Sequence, residues 1–329
     1  SLYGVTMLKT TVIIPNLNGK KYLNDCLSSL YACEEDTFPV IIVDNGSTDG
    51  SIDFIKTHFP QTELICFPEN KGFCGAVNAG ILAAKTPYVL LLNNDTTVET
   101  HFVSYLTRAL SENEGYFSCA AKMVSMQNPE LMDDAGDYYC VLGWAYARGK
   151  GKPSAHYIRA RNIFAACGGA VIYQREVLIR LGLFDEAHFA YLEDIDVGYR
   201  ARLLGYKNRF VPEAVVHHAG SASSGSRYNA FKVSLASRNS VYLVFKNMPP
   251  LQILVNLPFL LTGFFIKALF FVKKGFGGLY LQGLKKGLAL SFSKEGRKRR
   301  VPFQIKRFWI YVQIEGELLY NLIVPRLLH

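Results

Sequence analysis

The stretch "YVLLLNNDTTVE", residues 88–99, decides how this chain is read. Its opening run, Tyr88 to Leu92, is apolar, short and suited to a strand buried on both faces. The run stops on Asn93, Asn94 and Asp95. A buried strand that ends on two amides and an acid either turns a corner or holds something charged. Two earlier runs end alike: "TTVIIPN" (10–16) closes on Pro15 and Asn16, and "FPVIIVDNGSTDGS" (38–51) passes through Asp44 and Asn45. "ELICF" (63–67) is also strand-like. Between these runs Tyr22, Leu23, Cys26, Leu27 and Leu30 recur at helical spacing, Ile52, Phe54 and Ile55 begin a second helix, and 72–84 and Thr100–Leu110 read as two more. Apolar strands alternating with helices predict an α/β fold around a mainly parallel sheet covered on both faces. Ligands of such sheets bind beyond the carboxyl ends of the strands. A corner explains one polar strand end; a shared crevice explains all three.

With 329 residues, half of them apolar, the chain can bury a large core. Its seven cysteines are scattered, with no C-x-x-C pair and no Cys-His metal spacing, which fits a reducing, cytoplasm-facing location. The opening residues lack a charged-then-apolar leader pattern, and Met7 reads as a candidate first residue. The net charge of +9 is uneven: residues 241–329 hold 14 Lys/Arg against 3 Asp/Glu, leaving 22 basic and 24 acidic residues in the first 240. A near-neutral body is followed by a strongly basic rear.

Neither G-x-G-x-x-G after the first strand nor G-x-x-x-x-G-K-[ST] occurs, so a dinucleotide fingerprint and an ATPase loop are unsupported. What the chain offers is acids at strand ends. A lone carboxylate beside a diphosphate makes sense only with a cation between them, and Mg²⁺ is usually held by one or two carboxylates plus phosphates. Asp95 suits that role; capping the helix near Thr100 is the alternative. Residues 115–192 are less regular. A helix from Glu193 to Leu204, capped by Gly205, and a strand toward His217 follow.

Seven stretches, "VIIPNLNGKKYLNDCLSSL", "VIIVDNGSTDGS", "ENKGFCGAVNAGI", "LLLNNDTTV", "GGAVIYQREV", "LFDEAHFAYLEDIDVGYRARLLGYK" and "VVHHAGSAS", occur in that order. Together they resemble the inverting nucleotide-sugar glycosyltransferases of family 2, with the GT-A fold, and especially their rhamnosyltransferase-like branch, over residues 10–240. The resemblance implies that Asp44 accepts from the nucleotide's pyrimidine ring, and that Pro15 and Asn16 line the base and ribose pocket. Leu17 stands where many relatives have Tyr. Asn70, Gly72 and Asn78 match the stretch beside the nucleotide. Asn94 and Asp95 match the acid-containing metal motif, so Asp95 would coordinate Mn²⁺ or Mg²⁺ against the diphosphate. His217 is the favoured second ligand. Adjacent His218 is the alternative, because neighbours on a strand point to opposite faces.

The same resemblance makes Asp194 the base that takes the acceptor hydroxyl's proton. Glu193 would orient the acceptor or hold a loop. Asp196 and Arg200, at i,i+4, would form a supporting ion pair. Gly168 and Gly169 would wall the donor sugar, with Arg227 and Arg238 assisting the leaving diphosphate. The implied donor is dTDP-L-rhamnose, with UDP-galactose, UDP-GlcNAc and UDP-galactofuranose open. The implied acceptor is a lipid-linked or cell-surface polysaccharide. A non-catalytic nucleotide-sugar-binding scaffold is the alternative in another class.

In the basic rear, 251–274 is apolar but interrupted by Asn256, Pro258 and Lys267, and 275–292 interleaves leucines with Lys285 and Lys286 before "KEGRKRR" (294–300). This pattern reads as helices lying in the headgroup plane of an anionic leaflet, peripheral or monotopic on the cytoplasmic face of the cell membrane. A bilayer span over 251–274, with Lys267 snorkelling, stays open, and packing on the body or forming a homodimer is the other reading. Nucleic acid is excluded by the apolar load and the missing recognition modules. The expected division is a catalytic domain over 1–245, with a nucleotide half (8–125) and an acceptor half (126–245), followed by a membrane-associating region over 246–329.

Overall fold

The computed structural model describes residues 6–33, 36–220 and 228–327. After β1 (Thr6–Met7), which pairs with β3 (Asp36–Thr37), the first half alternates regularly. It runs β2 (Thr10–Asn16), α1 (Lys20–Tyr31), β4 (Val40–Asp44), α2 (Ser51–His58), β5 (Glu63–Cys66), α3 (Gly72–Ala83) and β6 (Tyr88–Leu92). These strands lie side by side as β6–β2–β4–β5, all parallel. Each is an apolar run because both its faces are covered. Val12, Ile14, Leu90 and Leu92 enter one core with Leu23 and Leu27 of α1. Ile13, Val89 and Leu91 enter the opposite core with Val77 and Ile81 of α3.

The second half continues with β7 (Thr96–Val98), α4 (Phe102–Ser111), β8 (Tyr116–Ser125), β9 (Met132–Asp134), β10 (Asp137–Cys140), β11 (Trp144–Ala147) and β12 (Arg161–Ile163). Then come β13 (Ala170–Gln174), α5 (Arg175–Arg180), α6 (Glu193–Leu203) and β14 (Lys207–His218). β13 joins the sheet antiparallel to both β6 and β8, β14 runs parallel to β8, and β12 closes the edge. The expected mainly parallel sheet is therefore parallel through its nucleotide half and at β14–β8, and antiparallel around β13. Gly205, with φ +92°, ends α6 as its position after the helical pattern predicts.

The rear is helical: α7 (Ala230–Asn247), α8 (Pro250–Lys273), α9 (Gly277–Phe292), α10 (Lys294–Arg299) and α11 (Phe308–Leu327). A third core joins these helices to the body, with Leu243, Leu260, Ile314 and Leu318 packed against Tyr139, Phe164 and Tyr199. Small residues make the closest contacts. A Cβ on Gly283 or Gly287 of α9 would collide with α7, and one on Gly263 of α8 with the Leu142 carbonyl. Trp144 Nε1–H donates to the Gly263 carbonyl at 3.1 Å. With glycines facing inward, many other large apolar side chains of α8, α9 and α11 point out. Leu254, Phe265, Leu281, Leu288 and Trp309 are all more than half exposed.

The approach of α3 to the sheet is equally close, since a Cβ on Gly80 would run into Ile13 Cγ2 and come within 3.3 Å of Val43. Overpacking a filled core costs about 1–3 kcal/mol. Gly80→Val should therefore fold with a lowered denaturant midpoint; an unchanged midpoint would show that α3 can lift off the sheet freely.

Candidate active site

Three strand ends meet through hydrogen bonds. Asp44, fully buried at the end of β4, accepts from Asn16 Nδ2 and from the Ser47 backbone N–H, each at 2.8 Å. Asn16 in turn accepts from Asn94 Nδ2 at 2.7 Å. β2, β4 and β6 thus end on one continuous polar chain, and Pro15 sets the turn into it opposite Val43. The loop before α3 closes on the same edge. Asn45 donates to the Gly72 carbonyl at 2.9 Å, and Asn70 accepts from the Gly72 N–H at 2.8 Å. Gly72 has φ +75° and lies so near Phe189 that a Cβ would sit 2.5 Å from its carbonyl oxygen. Leu17 beside this pocket is 43% exposed.

Asn78 corrects an expectation. Its amide is used inside the fold, accepting from the Phe184 N–H and donating to the Phe184 carbonyl and Glu186. It braces segment 184–186 rather than facing a nucleotide.

Asp95 lies where β6 passes into β7. The second expectation to be corrected is His217, which points to Glu99 at 3.1 Å on the outer side. His218 is the residue that meets Asp95, with Nε2 3.3 Å from its Oδ1, and its Nδ1 lies 2.6 Å from Asp133 Oδ2. The physical reason is strand alternation together with register: β14 pairs with β7 at His218↔Thr96, which turns His218 inward next to Asp95. Burial opposes a charge on His218, but hydrogen bonds to Asp133 and Asp95 win and push its pKa up to about 9. Asp133 goes the other way, to about 2, because His218 and Lys150 outweigh its burial.

Next to Asp133 lies a group that could hold a metal ion: Asp134, Asp137 and Cys167 offer donor atoms all within 4.8 Å of one another. Burial dominates here and raises all three, Asp134 to about 7.

Asp194 occupies the first turn of α6. Its Oδ2 accepts from the Gly168 N–H at 3.2 Å and its Oδ1 from the Ile195 N–H at 2.8 Å. Burial raises its pKa despite these bonds. Glu193 beside it is pushed up to about 8, by burial first and the Asp194 charge second, and its Oε2 has no partner among the described residues. The two glycines connect this acid to the metal-motif loop. A Cβ on Gly168 would lie 3.9 Å from Asp194 Cβ, and one on Gly169 would lie 3.1 Å from Asn93 Nδ2. Two consecutive residues therefore touch Asp194 on one side and the Asn93–Asp95 loop on the other. Asp196 pairs with Arg200 at 2.9 Å, as the i,i+4 spacing predicts, and also binds Lys246 and Asn247 of α7.

The loop entering α6 is strained: Phe189, Tyr191 and Leu192 have φ of +63°, +70° and +65°. Such residues cost about 1–3 kcal/mol each and persist only when surroundings over-determine them. Asn239 of α7 supplies that constraint. Fully buried, it donates to the carbonyls of His188, Ala190 and Tyr191 at 2.8–3.0 Å. Arg238 donates to the carbonyls of Ala187 and His188. The diphosphate-assisting role expected of Arg238 is corrected accordingly: its guanidinium clamps the loop. Arg227 lies outside the described residues. Asn239, Asp133 and His218 as the inner histidine are what sequence reading missed or ranked second. Only the adjacency of Arg238 and Asn239 hinted at the clamp.

An α/β sheet whose polar strand ends are hydrogen-bonded together, with an acid-histidine pair and a second acid across a glycine turn, fits a nucleotide-sugar transferase of the GT-A type. A sequence model of glycosyl transferase family 2 matches residues 11–182, and the chain belongs to that family. It is a glycosyltransferase, similar to the rhamnosyltransferase-like branch. N-acetylglucosaminyl-diphospho-decaprenol L-rhamnosyltransferase of Mycobacterium tuberculosis is 26% identical over 231 residues, 62% of this chain and 74% of the relative. Among solved structures, GalNAc-T7 with UDP, GalNAc and Mn²⁺ superposes with a TM-score of 0.58, at 17% identity over 73% of this chain and 48% of that one. A mannosyltransferase of Pyrobaculum calidifontis in complex with GDP-Man and Mn²⁺ gives 0.53, at 16% identity over 97% and 87%. These structural likenesses establish the shared fold.

Asn239→Ala should lower stability by about 3 kcal/mol, three hydrogen bonds at roughly 1 kcal/mol each, and should impair turnover at temperatures where the variant is still folded. Full activity in a destabilised protein would show that the clamp serves only the fold. A buried acid with a raised folded pKa contributes stability below its unfolded pKa and loses it as pH rises through the folded value. For Glu193 that window runs from 4.5 to about 8. Glu193→Gln should therefore flatten the fall of melting temperature across this range; parallel profiles for the two proteins would contradict the shift.

Proposed function

We propose that this glycosyltransferase is metal-dependent and inverting, with Asp194 as general base and with Asp95 and His218 holding Mn²⁺ or Mg²⁺. The observation that carries the reading is the glycine turn that touches Asp194 and the Asn93–Asp95 loop at once. A carboxylate oxygen and an imidazole nitrogen face one another at 3.3 Å, and Asp133 behind Nδ1 is the outer-shell partner that a ligating histidine needs. An imidazole ligand suits Mn²⁺ better than Mg²⁺. Bound there, the cation would neutralise the donor's diphosphate as it leaves. Asp134, Asp137 and Cys167 form the other cluster able to hold a cation, but they lie beside Asp133 and do not include Asp95.

Asp44 and Asn16, buried and bonded to one another, to Ser47 and to Asn94, would brace the strand-end edge that lines the base and ribose, with the Gly72 loop approaching the nucleotide. Across the glycine turn Asp194 accepts the acceptor hydroxyl's proton while that oxygen attacks the anomeric carbon from the far side. The neighbouring acids share a proton unequally. Burial raises both acids, and Asp194 is the one whose carboxylate oxygens accept from the Gly168 and Ile195 backbone N–H groups, which favour its charged form as base.

The donor we favour is dTDP-L-rhamnose, supported by the mycobacterial relative's activity, with UDP-sugars such as UDP-galactose, UDP-GlcNAc and UDP-galactofuranose as the other reading. The acceptor is a lipid-linked or cell-surface polysaccharide. The outward apolar faces of α8, α9 and α11, on the strongly basic rear, support work at the cytoplasmic membrane surface. α8 is long and apolar enough to cross a bilayer. Its middle, however, is bonded to Trp144 of the body at Gly263 and to Glu315 of α11 at Asn256, which favours a helix lying on the membrane.

A panel of dTDP-, UDP- and GDP-sugars with and without Mn²⁺ tests the assignment. Asp194→Asn should bind donor normally and lose about 10²–10⁴ in turnover. Asp95→Ala should lose only the metal-dependent part of donor binding. Unchanged turnover in Asp194→Asn, or release of pyrophosphate instead of a nucleoside diphosphate, would overturn the mechanism.

A further inference from the structure

The membrane reading leaves unused a strongly basic cavity among the described residues. It encloses about 500 Å³ between the α5–α6 side of the body and the segment after α10. Arg180, Arg200, Lys246, Lys298, Arg299, Arg300 and Arg307 line it, against only Asp185 and Glu186. Asp185 is already bonded to Lys246 and Arg299, and nearby Asp196 to Arg200 and Lys246. Four cations remain with no acid partner among the described residues. Arg180 lies over the Tyr206 ring, Arg300 over Phe245, Arg307 donates to the Leu203 carbonyl, and Lys298 is exposed.

A groove of about 660 Å³ lies alongside, lined by Leu251, Val255, Phe303, Phe308 and Val312. Tyr311 lines both spaces, and the strap between α10 and α11 separates them, with Pro302 and Gln304 toward the cavity and Phe303 toward the groove. A free anion would use only the first space and an apolar helix only the second. One occupant uses both: an amphiphile with phosphate at one end and hydrocarbon at the other.

We propose that this cavity and groove form a single site for an anionic membrane lipid, its phosphate held by Arg180, Lys298, Arg300 and Arg307 and its chain laid along α8 and α11. The site rests on the membrane reading above and is separate from the donor cleft. Arg200 lines it from the far end of α6, whereas Asp194 at the start of that helix turns to Gly168.

The test is co-sedimentation of the full chain with phosphatidylcholine vesicles, with and without phosphatidylglycerol. The native chain should prefer the anionic vesicles. Arg180→Glu with Lys298→Glu should cut that preference by about tenfold or more, since each basic residue near such a surface contributes roughly 1 kcal/mol. The equal charge change Lys285→Glu with Lys286→Glu on exposed α9 should cut it much less. Phe303→Ser should weaken binding to both vesicle types. Equal losses for the two charge reversals would mean diffuse attraction and would overturn the site while leaving the membrane reading intact. A native chain that ignores every vesicle would overturn both, with glycosyl transfer untouched because turnover does not enter the assay. If inorganic phosphate raises the melting temperature as much as a soluble short-chain phosphatidylglycerol, the occupant is a free anion and the lipid assignment falls. Glutamine in place of glutamate at Arg180 and Lys298 serves if the reversed variant does not fold.

Discussion

The contact on which the molecule depends is the Gly168–Gly169 turn. One glycine gives its N–H to Asp194, and the next lies against Asn93, one residue from Asn94 and two from Asp95. No side chain fits at either place without moving Phe73, Met123 or the Asn93 amide. The turn opens β13, which enters the sheet between β6 and β8 and so fixes the distance between the two halves. The proposed mechanism would depend on that distance being held without slack.

Around this turn the site is supported from behind. The helix bearing Asp194 is bound to α7 through Asp196, Lys246 and Asn247, all buried. The three left-handed residues before it are kept in place by one amide side chain. Ion pairs this deep are expensive to desolvate and costly to break singly, so they favour one arrangement more than they add stability. α7 is at once the back wall of the loop before α6 and the platform for α9. The helical rear and the active site are therefore parts of one packed body.

That sharing explains the surface. In a soluble helical subdomain leucines face inward and small polar residues outward. Here glycines and serines of α9 face α7, and leucines face solvent. Close backbone approach through small residues leaves the large apolar side chains on the outside, among lysines and arginines, as the proposed membrane reading requires.

The sequence by itself determined the layers and the sheet edge at which the polar strand ends meet. Apolar runs that alternate with helical spacing require a sheet covered on both faces, and strand ends rich in Asn and Asp require something polar beyond them; Asp44, Asn16 and Asn94 meet there as hydrogen-bonded neighbours. Only the tertiary structure decided which histidine meets Asp95, because that depends on the pairing of β14 with β7 across more than a hundred residues. The same holds for Asn78 and Arg238. Polar residues near a predicted site read as ligand-facing, yet their groups are consumed by backbone of distant segments. The outward turn of the leucines on α9 was undecidable too, since a leucine-glycine pattern fixes a face but not which side of it is covered. Local chemistry sets what a segment can bury; long-range pairing sets what it does bury.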